Sequence, residues 1–371
     1  MEYKHRCLLP FHHIAIRPNN QVYPCCQFRH EHTPKDLHLD YSDVFNHPFM
    51  EELREHMIKD IPHPGCDMCY KQEEMSNGSH SMRLDFAKDL GFEIPDKPVL
   101  THVDLALSNV CNNRCRMCNP ELSTNWYSDA KKLGAEFFPP IQSGIINSKR
   151  ILDEYDLKSL RFLKLIGGEP LMEQDKFIDL LKRCDLPKLR ILLATNTTII
   201  PKPELVELLK QCKVVWVNLS VDAFGPLNEF LRKGSKWENV TNVIEWFGNT
   251  FPRNTKIHGI ISIYNINNFY LLENYIHTHP TLWNKVSCEW QMVDGPNWMQ
   301  PANLPKPVKE KIMKKIETLA SPHAYNLVRT ELEKEGDFKL FLDKDKKLND
   351  LRNEDWKMLN TDLCEMLTEF L

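Results

Sequence analysis

From about residue 100 the chain alternates short apolar, β-rich runs with amphipathic helical stretches, and this alternation limits the fold more than any other feature. Runs over His102 to Val110, Phe162 to Ile166, Leu189 to Ala194, Val214 to Val221, Lys256 to Tyr264 and Val286 to Met292 predict six strands. Between them, the stretches starting at Phe177 and Pro203, and those over Trp237 to Phe247 and Tyr270 to His277, repeat apolar residues at the i, i+3, i+4 spacing of helices packed on a sheet. Strands that alternate with helices pair in parallel, because each crossover returns the chain to the same end of the sheet. Six such strands rather than eight predict an α/β fold built as a partial (β/α)6 barrel.

With 371 residues the chain can bury a large α/β core and still form a smaller region. A net charge of −4 gives no excess of positive charge to attract nucleic acid or anionic membrane. No apolar run approaches the roughly 18 residues of a membrane span, and the stretch from Met1 to Cys7 has no signal-peptide core. The expectation is a cytoplasmic protein with neither a membrane nor a nucleic-acid partner. Twelve cysteines are many for a compartment where disulfides are rare. Cys184, Cys212, Cys288 and Cys364 are scattered among helix and strand patterns and read as small buried hydrophobes; the others fall into ligand-like clusters.

Cys111, Cys115 and Cys118 directly follow the first candidate strand, and the loops at the carboxyl ends of parallel barrel strands are where active sites form. Three thiolates can hold three irons of a cubane [4Fe-4S] cluster and leave the fourth open. A closed zinc site wants a fourth ligand, which this local spacing lacks. Behind the triad, Gly167-Gly168-Glu169-Pro170 ends the second strand. Its glycines have no side chain to block close backbone approach, and Glu169 offers a carboxylate to an ammonium.

This C-x3-C-x2-C spacing with a Gly-Gly-Glu-Pro strand end closely resembles the radical S-adenosylmethionine (radical SAM) superfamily. The resemblance implies that the open iron chelates the amino and carboxylate groups of SAM, and that one-electron cleavage of the sulfonium gives methionine and a 5′-deoxyadenosyl radical. It assigns Gly167, Gly168 and Glu169 to the SAM amino group. It also implies SAM contacts from Thr195 and Asn196, Ser220 and Asp222, and Asn265 at later strand ends; each of these also suits a turn or a cap. Met117 stands where the family favours an aromatic, and a methionine can pack against adenine.

A second cysteine set lies at the front: Cys7, the run Asn20 to Cys25 and Cys26, and Cys66-Asp-Met-Cys69. These spacings resemble the twitch module, a shortened SPASM domain, which better-studied members carry after the barrel. Asn20 occupies the module's usual glycine place five positions before Cys25, which singles out Cys25 over Cys26, and Asn tolerates the left-handed turn. Four thiolates from Cys7, Cys25, Cys66 and Cys69 would fully ligate a second, auxiliary [4Fe-4S] cluster. A four-cysteine zinc site fits C-x2-C equally well, and use of Cys26 would shift the assignment by one residue. Ser79 to Arg83, with Glu73 and Glu74 ahead of them, extends the similarity, although exposed charge is the plain reading of these residues. His12 and His13 read as surface or structural.

The expected organisation is an auxiliary-cluster module over 1–96, a radical SAM partial barrel over 97–300 and a helical extension over 301–371. The stretch Gly134 to Arg150 reads as a long crossover or lid. Charged helices are expected over Pro307 to Ser321, Ala324 to Glu335 and Asp343 to Leu371, packing on the barrel rather than acting in the site. The expected function is an oxidoreductase-type radical SAM enzyme that abstracts hydrogen from a peptide or protein, supplied with electrons by a donor such as flavodoxin or ferredoxin. The alternatives are a radical SAM dehydrogenase of a small molecule, a sugar or nucleotide, and a zinc-bearing binding module on an inactive barrel.

Overall fold

A computed structural model describes residues 4–38, 41–75, 78, 81–91, 93–138, 153 and 155–371. Its strands are β1 (His13–Ile16), β2 (Val22–Tyr23), β3 (His102–Ala106), β4 (Phe162–Ile166), β5 (Arg190–Thr195), β6 (Val214–Leu219), β7 (Thr255–Ile261) and β8 (Val286–Met292). They form one mostly parallel sheet in the order β2-β1-β3-β4-β5-β6-β7-β8. The α/β class and the parallel arrangement are as expected, but the sheet has eight strands where six were predicted. The two additional strands come from the front of the chain: β1 pairs in parallel with β3, and β2 returns antiparallel on β1.

The chain divides into two compact units, residues 1–109 with 144–193 and 202–215, and residues 110–143 with 194–201 and 216–371. In the first unit, β4 turns Leu163 and Leu165 to the core while alternate residues are only half-buried, the period-2 signature of a strand. The helix Gln174–Lys182 covers that face with Phe177, Ile178, Leu180 and Leu181, and the helix Pro203–Gln211 adds Leu205, Val206 and Leu209. Burial of each such side chain contributes about 1.5–3 kcal/mol, so Phe177→Ala should destabilise this unit by about 3–5 kcal/mol.

The front of the same unit has its own small core of Leu8, Phe11, Phe28, Leu53 and Met57. Leu53 and Met57 come from the helix Pro48–Ile58, the first of three with Asp67–Met75 and Met82–Leu90, and Leu90 of the last packs against them. Pro48 fits the first helical turn, where no amide partner is needed, and Ser81 caps the third helix by accepting from Leu84 N.

In the second unit β6, β7 and β8 pair in parallel, with Val217 opposite Thr255 and Thr255 opposite Val286. Helices follow at Lys306–Ile316, Pro322–Leu332, Phe338–Arg352 and Thr361–Met366. The single helix expected over Asp343 to Leu371 is thus two. Asn353 stops the first in the left-handed conformation at φ +50°, which Asn reaches at low cost, and Trp356 then turns inward to full burial. Also shorter than expected is β3, which ends at Ala106 instead of Val110 because the chain leaves the sheet to form the cysteine loop. From residue 139 the crossover expected over Gly134 to Arg150 lies outside the described residues. Among the described residues, no helix is long and apolar enough to cross a membrane.

Candidate functional site

The loop carrying Cys111, Cys115 and Cys118 belongs to the second unit, where backbone and side-chain bonds fix its course. Arg114 N donates to Lys233 O at 2.7 Å and Arg116 N to Leu231 O at 2.8 Å. Trp126 Nε1 donates to Cys115 O at 2.9 Å, and Ser123 Oγ to Asn113 O at 2.6 Å. Gly234, at φ +110°, lies so close that a Cβ there would stand 2.7 Å from Asn112 O, so only glycine lets the two segments meet.

Cys111 and Cys115 are each 8% exposed and Cys118 is half-buried. Burial pushes the Cys115 thiol up to about 12, against the opposing pull of the Arg232 guanidinium, and raises Cys118 as well. Thiols in such a setting lose their protons to a metal centre rather than to solvent. The donors around them suit that state. Asn113 N–H points at Cys111 Sγ at 3.4 Å, Asn196 Nδ2 at the same sulfur at 3.6 Å, and Arg232 Nη1 at Cys115 Sγ at 4.0 Å. Hydrogen bonds to sulfur of this kind set the potentials of iron-sulfur centres. The donor set therefore fits a cluster held by three thiolates.

Arg232 is itself gripped by Asp222, with Nε at 2.7 Å from Oδ2 and Nη2 at 2.8 Å from Oδ1. Asp222 Oδ1 also accepts from Ile260 N at 2.9 Å. Asn265 donates to the carbonyls of Asp222 and Ile260 and accepts from Ser262 N, so its amide braces the turn after β7. Asn196 Nδ2 donates to Asn112 Oδ1 at 2.7 Å, and Thr195 O accepts from Ser220 N at 2.9 Å. Met117 is half-buried on the loop. Asn196, Asp222 and Asn265 thus share the triad's unit and brace its surroundings.

Gly167, Gly168 and Glu169 belong to the first unit. Gly167 adopts φ +74°, and a Cβ there would meet Ala106 Cβ at 2.6 Å and Pro18 Cγ at 3.1 Å; a side chain would force the turn away from β3. Buried Glu169 accepts from Leu171 N at 3.0 Å, which caps the turn Pro170–Met172.

The second cysteine set also lies in the first unit. Cys7, Cys25 and Cys66 pack against the small core of Leu8, Phe11, Phe28, Leu53 and Met57, and Cys69 is buried. Burial raises all four thiols, Cys66 to about 12. The charges of Cys26, Cys7, Cys66 and Cys69 act on Cys25, so these thiols are close enough to Cys25 to repel it when ionised. Cys26 turns elsewhere: its thiol donates to Met82 Sδ at 3.4 Å and stands beside Asp104. Among the described residues, no three His, Cys, Asp or Glu groups are placed to hold one metal ion. A cubane distributes its thiolates over separate irons, which calls for a wider spacing than a single ion does.

Three arginines escape sequence reading. Arg83, expected at the surface, is buried. Arg116 sits inside the cysteine motif itself, where its basic character suggests exposure, and Arg232 lies in a stretch without any motif.

Residues 105–273 match the sequence profile of the Radical SAM superfamily. No curated protein matches the chain. Among solved structures, native anSMEcpe with bound AdoMet aligns at 18% identity over 58% of this chain and 58% of that chain, with a TM-score of 0.39. The chain thus spans well under two thirds of that protein's length. SuiB of Streptococcus suis bound to S-adenosylmethionine aligns at 17% identity over 72% of this chain and 61% of its own, with a TM-score of 0.39. The methyltransferase TsrM from Kitasatospora setae aligns at 11% identity over 67% and 60%, with a TM-score of 0.37. The stretch 105–273, which opens at the end of β3 and holds the cysteine loop with Arg232 and Asn265, is a radical SAM superfamily domain.

Proposed function

We propose that the chain is a radical SAM enzyme with a second, auxiliary [4Fe-4S] cluster, and that it oxidatively modifies a peptide or protein. The observation that carries this reading is the buried three-cysteine loop, with N–H donors aimed at its sulfurs, inside the stretch that matches the superfamily. When bound, the cluster and SAM supply a 5′-deoxyadenosyl radical able to take a hydrogen atom from an unactivated C–H bond.

The chain's own residues hold and orient. Cys111, Cys115 and Cys118 would ligate three irons, and Asn113 N–H and Asn196 Nδ2 would steady the Cys111 sulfur. Arg232, anchored by Asp222, places a positive charge beside Cys115, which lowers the energy of an anionic centre there. Glu169 would receive the SAM ammonium, with Gly167 and Gly168 leaving room for its approach. Met117, Thr195, Asn196, Ser220, Asp222 and Asn265, all of the second unit, are the further SAM contacts of this proposal. Cys7, Cys25, Cys66 and Cys69 would hold the auxiliary cluster. An electron donor such as flavodoxin or ferredoxin would deliver the electrons.

The test is anaerobic reconstitution with iron and sulfide, reduction, and assay of 5′-deoxyadenosine. The parent should form it and Cys115→Ala should not; undiminished cleavage in the variant would remove the core assignment. The same preparation separates the second reading, a zinc-bearing binding module, which four cysteines in the first unit also suit. About eight irons per chain agrees with two cubanes, whereas zinc with no iron favours the binder.

A further inference from the structure

A buried cation stands among the thiols of the second cysteine set. Arg83 is 5% exposed, and every nitrogen of its guanidinium donates. Nε meets Glu73 Oε1 at 2.6 Å, Nη2 reaches Glu73 Oε2, Nη1 donates to Arg6 O at 2.6 Å, and Nη2 donates to Lys4 O at 2.7 Å. The Tyr70 ring lies 5.5 Å from its central carbon, and Ser81 Oγ fixes the same Glu73 oxygen at 2.6 Å. Glu73 is on the helix Asp67–Met75 that carries Cys69, while Lys4 and Arg6 lead into Cys7. A single side chain therefore fastens the segment of Cys7 to the helix of Cys69.

The placement also has an electrostatic side. The Arg83 backbone N–H donates to the Cys69 thiol, which sets this residue beside the proposed ligands. Burying an arginine–carboxylate pair costs more in lost hydration than its own attraction commonly returns. Neutral thiols offer that pair nothing in compensation, whereas four thiolates around an iron-sulfur core carry net negative charge and would.

We infer that Arg83 positions the auxiliary cluster's ligands and raises its reduction potential, with Glu73 as the counter-charge that limits the effect. This rests on the auxiliary-cluster reading. Reduction adds an electron to an already anionic centre, so a nearby positive charge stabilises the reduced form and a nearby negative charge opposes it. The two partners must then act with opposite sign, which a purely structural role does not produce.

The experiment uses full-length protein carrying Cys111→Ala, Cys115→Ala and Cys118→Ala, so that only the second set can hold iron, and follows a redox titration by electron paramagnetic resonance. Arg83→Met should shift the midpoint potential downward and Glu73→Gln upward. Arg83→Lys should keep the parental potential, because it keeps the charge. Potentials that stay put, or that move the same way in Arg83→Met and Glu73→Gln, overturn the inference while leaving the cluster in place. About four irons in the unmutated chain, or zinc, overturns the auxiliary reading and this inference with it. Should Arg83→Met lose its iron altogether, Glu73→Gln and Arg83→Lys still decide the sign.

Discussion

Arg116, the residue after Cys115, donates from Nη2 to Glu354 Oε2 at 2.7 Å across 238 positions of sequence. Its guanidinium is fully buried, lies 3.7 Å above the Phe230 ring, and stands 3.6 Å from Asp345. Tyr264 Oη and Trp356 Nε1 both donate to Asp345, at 2.6 and 3.0 Å. Lys233, whose carbonyl accepts from Arg114, also pairs with Glu354 at 2.6 Å. The helix Phe338–Arg352 and the turn after it therefore hold the cysteine loop from behind.

Removing Glu354 should loosen that loop. Breaking one partner out of a buried pair costs about 3–5 kcal/mol, so Glu354→Ala should lower the melting temperature of the apo protein and hasten iron loss from the core cluster in air. Iron release timed against the parent, with Glu365→Ala on a neighbouring helix as control, checks this. Equal release would mean the loop keeps its shape without the acidic partner.

Glu169→Ala should weaken SAM binding while iron content stays near normal. Losing a charge-assisted hydrogen bond costs on the order of 1.5–3 kcal/mol, or about 10- to 150-fold in affinity. Equilibrium binding of SAM to reconstituted protein measures it, and unchanged affinity would place the amino-group contact elsewhere.

Cys66→Ala combined with Cys69→Ala should reduce iron from about eight to about four per chain, the loss of one cubane, while 5′-deoxyadenosine still forms without substrate. Retention of all the iron in that double variant would remove the auxiliary site and leave the core standing.

His102 predicts an acid-sensitive first unit. Burial, then repulsion from His13 and Arg190, lowers its value to about 3, whereas the unfolded chain titrates near 6.5. As pH falls the unfolded state takes up this proton first, so the stability His102 contributes is complete above about 6.5 and is lost progressively toward about 3. Asp104, held low by its His13 and Lys164 partners although burial opposes them, adds to the same acid loss at lower pH. His102→Phe, which keeps a ring against Phe86 and Phe162, should show a smaller fall in melting temperature between pH 7 and pH 4.5 than the parent. An equal fall would assign the acid limb to other groups.

Much of this architecture is legible in the sequence because it is local. Phe162 to Ile166 and Val286 to Met292 appear as strands at the expected residues, since a period-2 pattern is written within a few neighbouring positions. The cysteine loop is legible through its spacing. What escapes is what depends on distant partners. β1 and β2 have four and two residues, too few for a periodic signal, and they become strands by pairing, β2 on β1 and β1 on the distant β3. Arg83, Arg116 and Arg232 look like surface charge until Glu73, Glu354 and Asp222 are brought to them, and a seemingly continuous helical pattern near the end is cut by one left-handed asparagine.

The parallel pairing of β1 with β3 also sets an order of events during synthesis. Cys7 and Cys25 flank β1, which has only the two residues of β2 to pair with until His102 to Leu105 have been made. At roughly 5–20 residues per second, the ribosome leaves the early strand without its parallel partner for several seconds. All four front thiols, Cys7, Cys25, Cys66 and Cys69, are made before β3. On the proposed reading, metal delivered to the nascent chain before that point would meet cysteines able to bind in wrong combinations, so the strand just ahead of Cys111 would set when the front set can be loaded.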